Sequence, residues 1–328
     1  MRRQLLDVLS CPECGHDLSV TAADSSGSDD ILTGSLRCTG CGRTAPIVNG
    51  IPRFVPPDNY ATSFGYQWNR FRGEQIDVVN GTQLSEARFL AETGWTPEWI
   101  RGKWILDVGC GAGRFLEVVS REPCHAVGVD LSNATDAARL TLASRGNVDL
   151  VQASIEALPF KTGAFDGCYC IGVIQHTPAP QHSLSALPRV VKSGGRLAVT
   201  IYERRRWTKY HGKYLIRPVT RRMNKRLLLF LIRTLMPVLF PLTEVAFRLP
   251  GLGPLFRFTI PVANYVHERR LTLAQRYRWA ILDTFDMLAP EYDQPQTESE
   301  ASAALARGGL AAIDRRGMSG LTLVGTKP

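Results

Sequence analysis

The stretch ILDVGCGAGRF, residues 105–115, decides how the chain is read. Ile105, Leu106 and Val108 form a short apolar run of the kind a buried strand shows. Gly109, Gly111 and Gly113 follow at alternate positions, so the backbone there can bend sharply and lie close to a ligand. Phe115, Leu116, Val118 and Val119 then return at helical spacing. The unit is strand, glycine turn, helix, and in open α/β sheets ligands sit at the carboxyl ends of such strands.

Three ligands compete for the turn. A phosphate-binding P-loop needs Gly-Lys-Ser/Thr, and Gly113 is followed by Arg114 and Phe115. A dinucleotide turn needs G-x-G-x-x-G, and here the third glycine comes one residue early. S-adenosylmethionine (SAM) carries a carboxylate, which suits the backbone N–H groups at a helix start. It also carries an ammonium, which suits Asp107 just before the turn. The next stretch, Ala126–Ser132, opens with an apolar run that ends in an acid, Asp130. That acid stands about 20 residues beyond the turn, where a ribose-binding carboxylate is expected.

ILDVGCGAGRF, VGVDLS (127–132) and LPFKTGAFDGCYCIGVIQH (158–176) together resemble class I SAM-dependent methyltransferases. The last stretch is similar to the small-molecule branch around quinone and sterol methyltransferases. The resemblance covers about residues 60–203 plus two terminal strands. It implies a Rossmann-like α/β fold with a seven-stranded sheet. It also implies that Asp107, Gly109 and Gly111 line the methionine part of SAM, Asp130 the ribose hydroxyls and Leu131 the adenine. The family often places an acid near adenine after the third strand. Ala153-Ser154 stand there instead, and Ser154 or a backbone group is expected to take that contact.

The chain has 328 residues and 44% apolar content, enough for about two domains. The start, MRRQLLDVLSC, has no long apolar run or cleavage site, so no signal peptide is read and a cytoplasmic setting is expected. Eight cysteines fall into two sets. Cys110, Cys124, Cys168 and Cys170 lie in or beside apolar segments and read as reduced core residues. Cys11, Cys14, Cys38 and Cys41 form C-x-x-C…C-x-x-C, each pair in a glycine-bearing turn. Four thiolates converging on one tetrahedral zinc make a closed, structural site. Disulfides are the rival reading, and nothing in the sequence indicates secretion. LLDVLSCPECGHDL and LRCTGCGRTAPIVNGIPRFVP resemble the zinc-ribbon family of small methyltransferase activators over residues 4–56. The resemblance implies a module that supports a methyltransferase, here fused to one. The polar stretch 21–30 reads as a loop within the ribbon, and Pro56-Pro57 as its end.

The domain reading is a zinc ribbon at 1–57, a SAM-binding core with N-terminal lid helices at 58–203, a helical insertion at 204–304 and closing strands at 305–328. In SFGYQWNRFRGEQID (63–77), Tyr66 is the candidate cofactor contact if the segment is a lid rather than a plain packed helix. Later strands are read at Val148–Gln152, Phe165–Ile171, Leu197–Tyr202, Ala311–Arg315 and Leu321–Gly325. A helix end and tight turn are read at Pro188–Gly195. An alcohol or phenol acceptor needs a base. His176, just past the fourth core strand and with a pKa near neutral, is the candidate, ahead of His182, Tyr202, Glu203 and Asp286. No N/D-P-P-Y/F motif of amino-methylating nucleic-acid enzymes follows that strand; Ile174-Gln175-His176-Thr177 stand there.

Residues 204–233 hold eleven Lys/Arg and no Asp/Glu. Without those eleven, the other 28 basic residues face 30 acids, so the +9 charge is local to one face. An apolar run, LLLFLIRTLMPVLFPLTEVAF (227–247), follows. Arg233, Pro237 and Pro241 interrupt it, which argues against a membrane span. Basic then apolar suits a helix on an anionic membrane surface through residues 204–248. The other readings are a helical cap on the sheet, or RNA held through phosphates. Asp283, Asp286, Tyr292 and Asp293 are candidate acceptor-pocket residues. The leading functional expectation is methyl transfer to a small-molecule, glycan or lipid-linked acceptor, at oxygen. The runner-up is methylation of ribosomal or transfer RNA, and the third is a SAM-binding module without activity.

Overall fold

The computed structural model describes residues 1–24, 30–56, 58–317 and 320–328. The central sheet has seven strands: β5 (Trp104–Val108), β6 (His125–Asp130), β7 (Val148–Gln152), β8 (Phe165–Ile171), β9 (Val191–Ile201), β10 (Ala311–Arg316) and β11 (Leu321–Thr326). Their order is β10-β11-β9-β8-β5-β6-β7. Strands β5 to β9 run parallel, and β11 lies antiparallel between β9 and β10, so that β10 runs in the same sense as β9. β5 and β7 are buried almost end to end, which is why they read as near-continuous apolar runs. The chain order reverses between β5 and β8, and that switch point opens the crevice where ligands bind in such sheets. This is the Rossmann-like, seven-stranded sheet expected from the sequence.

The N-terminal part is a separate four-stranded antiparallel sheet of β1 (Leu18–Asp24), β2 (Thr33–Cys38), β3 (Thr44–Val48) and β4 (Ile51–Pro52). Strand β1 takes residues 21–24 of the expected loop; 25–29, Pro57, Met318 and Ser319 lie outside the described residues. The four cysteine Sγ atoms lie within 4.8 Å of one another. Cys11 and Cys41 are 3.7 Å apart and Cys14 and Cys38 3.3 Å. Tetrahedral zinc with Zn–S near 2.3 Å separates its sulfurs by about 3.8 Å, so the cluster fits that ion. The N–H groups of Gly40 and Cys41 both donate to Cys38 Sγ at 3.4 Å, holding the knuckle turn.

The helices are α1 (Thr62–Arg70), α2 (Asp77–Asn80), α3 (Leu84–Thr93), α4 (Pro97–Ile100), α5 (Arg114–Val119), α6 (Ala134–Thr141), α7 (Pro180–Ala186), α8 (Gly212–Thr220), α9 (Lys225–Ala246), α10 (Gly253–Thr259), α11 (Leu273–Leu288) and α12 (Glu298–Arg307). The insertion, α8 to α11, builds its own apolar cluster of Leu228, Leu229, Ile232, Met236, Phe240 and Phe285. Two features differ from the sequence reading. Helix α9 runs unbroken through Pro237 and Pro241, because its row of buried apolar residues holds it against α11 despite two missing backbone donors. Strand β9 starts at Val191, six residues early, and absorbs the Gly194 turn as a register shift against β8.

Candidate functional site

The turn at Gly109 is fixed from below. The N–H groups of Gly109 and Cys110 donate to the Val129 carbonyl at 2.7 and 3.1 Å. Gly109 sits at φ +83°, and a Cβ there would stand 2.3 Å from the Val173 side chain. The Gly111 N–H donates to Asp130 Oδ2 at 2.9 Å. Asp130 Oδ1 accepts from the Ser132 N–H and hydroxyl at 2.8 and 2.7 Å. The carboxylate at the end of β6 is thereby aimed over the glycine turn. Burial raises its pKa, partly offset by these donors.

Above the turn lies a cavity of about 1150 Å³, at or beyond the ~300–1,000 Å³ of most small-molecule sites. One wall is the carboxyl ends of β5, β6 and β8 with Gly109, Gly111, Asp130, Leu131, Ala153 and Ile155. The roof is α1. Gly65 lets that helix press onto Asn133, since a Cβ would meet Asn133 Oδ1 at 1.9 Å. Phe64 and Trp68, one turn apart, thereby face the cavity. The Trp68 indole covers the turn closely, 3.1 Å from where a Gly111 Cβ would be.

The far end of the cavity is polar and comes from distant segments. Arg88 on α3 donates from Nε to Glu92 at 2.8 Å and makes no hydrogen bond from either Nη among the described residues. Its side chain keeps 38% of its surface accessible while lining the cavity. Arg114 at the start of α5 donates to Ser85 Oγ and Gln75 Oε1 at 3.0 and 2.7 Å. Burial draws its pKa down to about 10. Gln75 donates in turn to Asp283 at 3.2 Å, and Tyr265 donates its hydroxyl to the same carboxylate. Asp286 accepts from Gln67 Nε2 at 3.0 Å. Burial is the largest cause pushing Asp283 and Asp286 each up to about 6.

His176 lines the same cavity, packed between Phe64 and Tyr202 at 5.0 and 5.6 Å between ring centres. Its Nδ1 lies 2.9 Å from the Tyr292 carbonyl oxygen. A carbonyl only accepts, so this partner assigns the proton to Nδ1 and leaves Nε2 with its lone pair. Burial lowers the ring pKa to about 4. Beside it, Asp293 is paired with Lys213 at 2.6 Å and accepts from the Tyr214 hydroxyl at 3.2 Å.

Three of the candidate cofactor residues stand off the cavity wall. Asp107 lies beneath the turn, 2% exposed, with Oδ2 unpartnered and its pKa raised by burial. The Tyr169 hydroxyl lies near enough to lower that pKa, yet it makes no well-formed hydrogen bond. Tyr66 is two residues from Trp68 and so points the other way around α1, onto Phe285 at 6.0 Å. The Ser154 hydroxyl accepts from the Glu156 N–H at 3.2 Å, capping a short turn, while its neighbours Ala153 and Ile155 reach the cavity. Asp130, Leu131, Gly109, Gly111 and His176 all line it, as do Tyr202 and Glu203. His182 does not. Arg88, Gln75, Arg114 and Tyr265 also line it, and no sequence motif singles them out. The legible trace is Arg88 at an inward position of an otherwise ordinary helix.

The wall fits SAM. Asp130 offers a carboxylate edge for a diol, Leu131, Ala153 and Ile155 an apolar slot, and Arg88 two unengaged guanidinium nitrogens for a carboxylate.

A model described as a methyltransferase domain matches residues 106–199, and one described as Trm112p-like protein matches residues 2–50. Among curated proteins, the chain is 37% identical to the ubiquinone biosynthesis O-methyltransferase of Pectobacterium atrosepticum. That match covers 30% of this chain and 43% of the relative. It is 31% identical to the O-methyltransferase rstn1 of Aspergillus nomiae, covering 42% of this chain and 71% of the relative. The chain thus spans less than half of the ubiquinone relative it matches. Among solved structures it is similar to the complex of the Haloferax volcanii Trm112 methyltransferase activator with a methyltransferase. There the TM-score is 0.46, identity 14%, and coverage 81% of this chain and 97% of that chain.

Proposed function

The chain belongs to the SAM-dependent methyltransferase family, and on that premise we propose that it methylates an oxygen of a small molecule, free or carried on a glycan or lipid. The observation that carries this reading is the single cavity that runs from Asp130 and the glycine turn to Asp286, His176 and Tyr202. It has room for a nucleoside cofactor and a second molecule end to end.

When bound, SAM supplies a methyl group on a positively charged sulfur. The protein then has two tasks, to hold the acceptor oxygen in line and to take its proton. Asp130 would hold the ribose, Leu131 with Ala153 and Ile155 would flank adenine, and the Gly109–Gly111 backbone with Arg88 would receive the amino-acid end. Asp107, beneath the turn, would support that end from behind the cavity wall, where burial raises its pKa. The acceptor lies toward Tyr202. Two wall groups there can take its proton. His176 is neutral at pH 7 with a free Nε2, but a pKa of about 4 makes it a weak base. Asp286, at about 6, is matched to neutral pH. We assign proton removal to Asp286, with His176 as the group that orients the acceptor through Nε2.

The test is methyl transfer from radiolabelled SAM into fractionated cell extract, with RNA, lipid and small polar or glycan pools separated. Label in the lipid or polar pools supports the reading. Label confined to RNA overturns it and promotes the RNA methyltransferase reading, with the ribbon and the basic insertion as the nucleic-acid grip.

A further inference from the structure

Helix α9 is apolar on both sides, and only one side is covered. Leu228, Leu229, Ile232, Met236 and Phe240 are buried in the insertion's own cluster. On the opposite side Leu227, Leu231, Leu235, Val238, Leu242 and Val245 follow one another at steps of three or four. They form one continuous row, about 27 Å long at the helical rise. Val238 is 67% exposed and Val245 65%, and Phe230 beside the row is 63% exposed. Soluble helices turn a charged face outward, and a helix that is apolar all round is normally covered all round. The one acid on α9, Glu244, does not join this row; it is paired with Arg276 and Arg248.

The charges at the end of the row decide what covers it. Arg221, Arg222 and Arg226 precede or open α9, and none has a carboxylate partner among the described residues. Lys225 spends its ammonium on the carbonyls of Arg221 and Ala289. An identical copy would bring the same surplus of positive charge to the contact. A surface of lipid phosphates brings the opposite charge together with an apolar interior.

We propose that the outer face of α9, with Arg221, Arg222 and Arg226 at its head, seats the protein on an anionic bilayer surface. The helix is long and apolar enough to cross a bilayer. It lies in the interface instead, because crossing would strip Leu228, Ile232, Met236 and Phe240 out of the core they share with α11. The same insertion supplies Trp207, His211, Tyr214 and Phe258 to the cavity wall, so the seat and the acceptor end of the cavity share one piece of chain. The proposal does not depend on which reaction the cavity performs.

The experiment is flotation of the full-length, zinc-loaded protein with vesicles of phosphatidylcholine alone or phosphatidylcholine mixed with phosphatidylglycerol. Binding at least about tenfold tighter to the mixed vesicles is expected, weakening as salt is raised from about 0.1 to about 1 M. Phe230→Ser/Val238→Ser and Arg221→Glu/Arg226→Glu should each lower that binding at least tenfold. Both variants should keep the parent circular dichroism and SAM affinity, which shows that the loss is not misfolding. Failure of the parent to float with either vesicle overturns the proposal. So does undiminished flotation of the serine variant, or a solution dimer that the serine substitutions dissociate. Retention in the membrane after alkaline carbonate extraction overturns the interfacial seat in favour of a span.

Discussion

Replacing Gly109 by alanine tests the turn most directly. Gly109 sits at φ +83°, and an added Cβ would lie 2.3, 2.6 and 2.9 Å from Cγ2, Cγ1 and Cβ of Val173. Carbon atoms settle at about 3.5–4.0 Å, so all three contacts are too short. Val173 cannot simply retreat, because its carbonyl accepts from the His176 N–H at 2.8 Å and Gly172 is tied to Thr200 at 2.8 Å. A left-handed backbone at a non-glycine residue costs about 1–2 kcal/mol, and overpacking a tight site about 1–3 kcal/mol. The expected loss is therefore about 2–5 kcal/mol, measured by urea unfolding, with SAM affinity by calorimetry falling at least about tenfold as the turn shifts. A double-mutant cycle with Val173→Ala removes the two closest contacts, at 2.3 and 2.6 Å, and leaves the backbone strain and the 2.9 Å contact to Cβ. A favourable coupling of about 1–3 kcal/mol is expected. A Gly109→Ala protein within about 0.5 kcal/mol of its parent, or a cycle with no coupling, would refute the reasoning.

Asp286 is raised to about 6, so its carboxylate, the form that accepts a proton, is present above that pH and lost below it. kcat/KM should fall as pH drops through about 6; Asp286→Asn should lose the limb and about 10²–10⁴ in rate, while Asp283→Asn keeps the limb. A limb that survives in Asp286→Asn sinks the assignment. His176 is depressed to about 4 from an ordinary 6.5, so its neutral form contributes stability above 6.5 that drains away as pH falls toward 4; unfolding of His176→Gln should be flatter over that window. Trp68 covers Gly111, and the fluorescence change that SAM produces should vanish in Trp68→Phe if this indole is the roof. Elemental analysis should find one zinc per chain, and chelation or Cys38→Ser should open residues 1–56 to protease; equal protection with and without metal would count against the structural site.

The strands and the glycine turn are legible in the sequence because their signals are local. β5 to β8 are short apolar runs between turn residues, and three glycines at alternate positions leave few readings. The cysteine knuckles are legible for the same reason. The polar end of the cavity is not. Gln75 reaches Asp283 and Gln67 reaches Asp286 across more than 200 residues, and no pattern within a single segment brings them together. Tyr66 stands out no less than Phe64 and Trp68 in the sequence, because composition shows three aromatics without showing the phase of α1. The seating of Gly65 on Asn133 and the reach of Gln67 to Asp286 set that phase. Pro237 and Pro241 read as breaks because local propensity is a weak prior, and a buried row on α9 overrides it.

The N-terminal ribbon is not merely tethered. β7 is the last strand of the central sheet, and the ribbon closes over its end. The Phe54 N–H donates to the Gln152 carbonyl at 2.8 Å, the Ser10 N–H to the Pro159 carbonyl at 3.0 Å, and Arg2 pairs with Asp149 at 2.8 Å. Leu5 and Leu9 share one apolar cluster with Val151 and Phe160. Joined in this way the ribbon is present at one copy per sheet, and because Leu5 and Leu9 complete the apolar cluster of Val151 and Phe160, loosening the ribbon exposes the sheet edge as well.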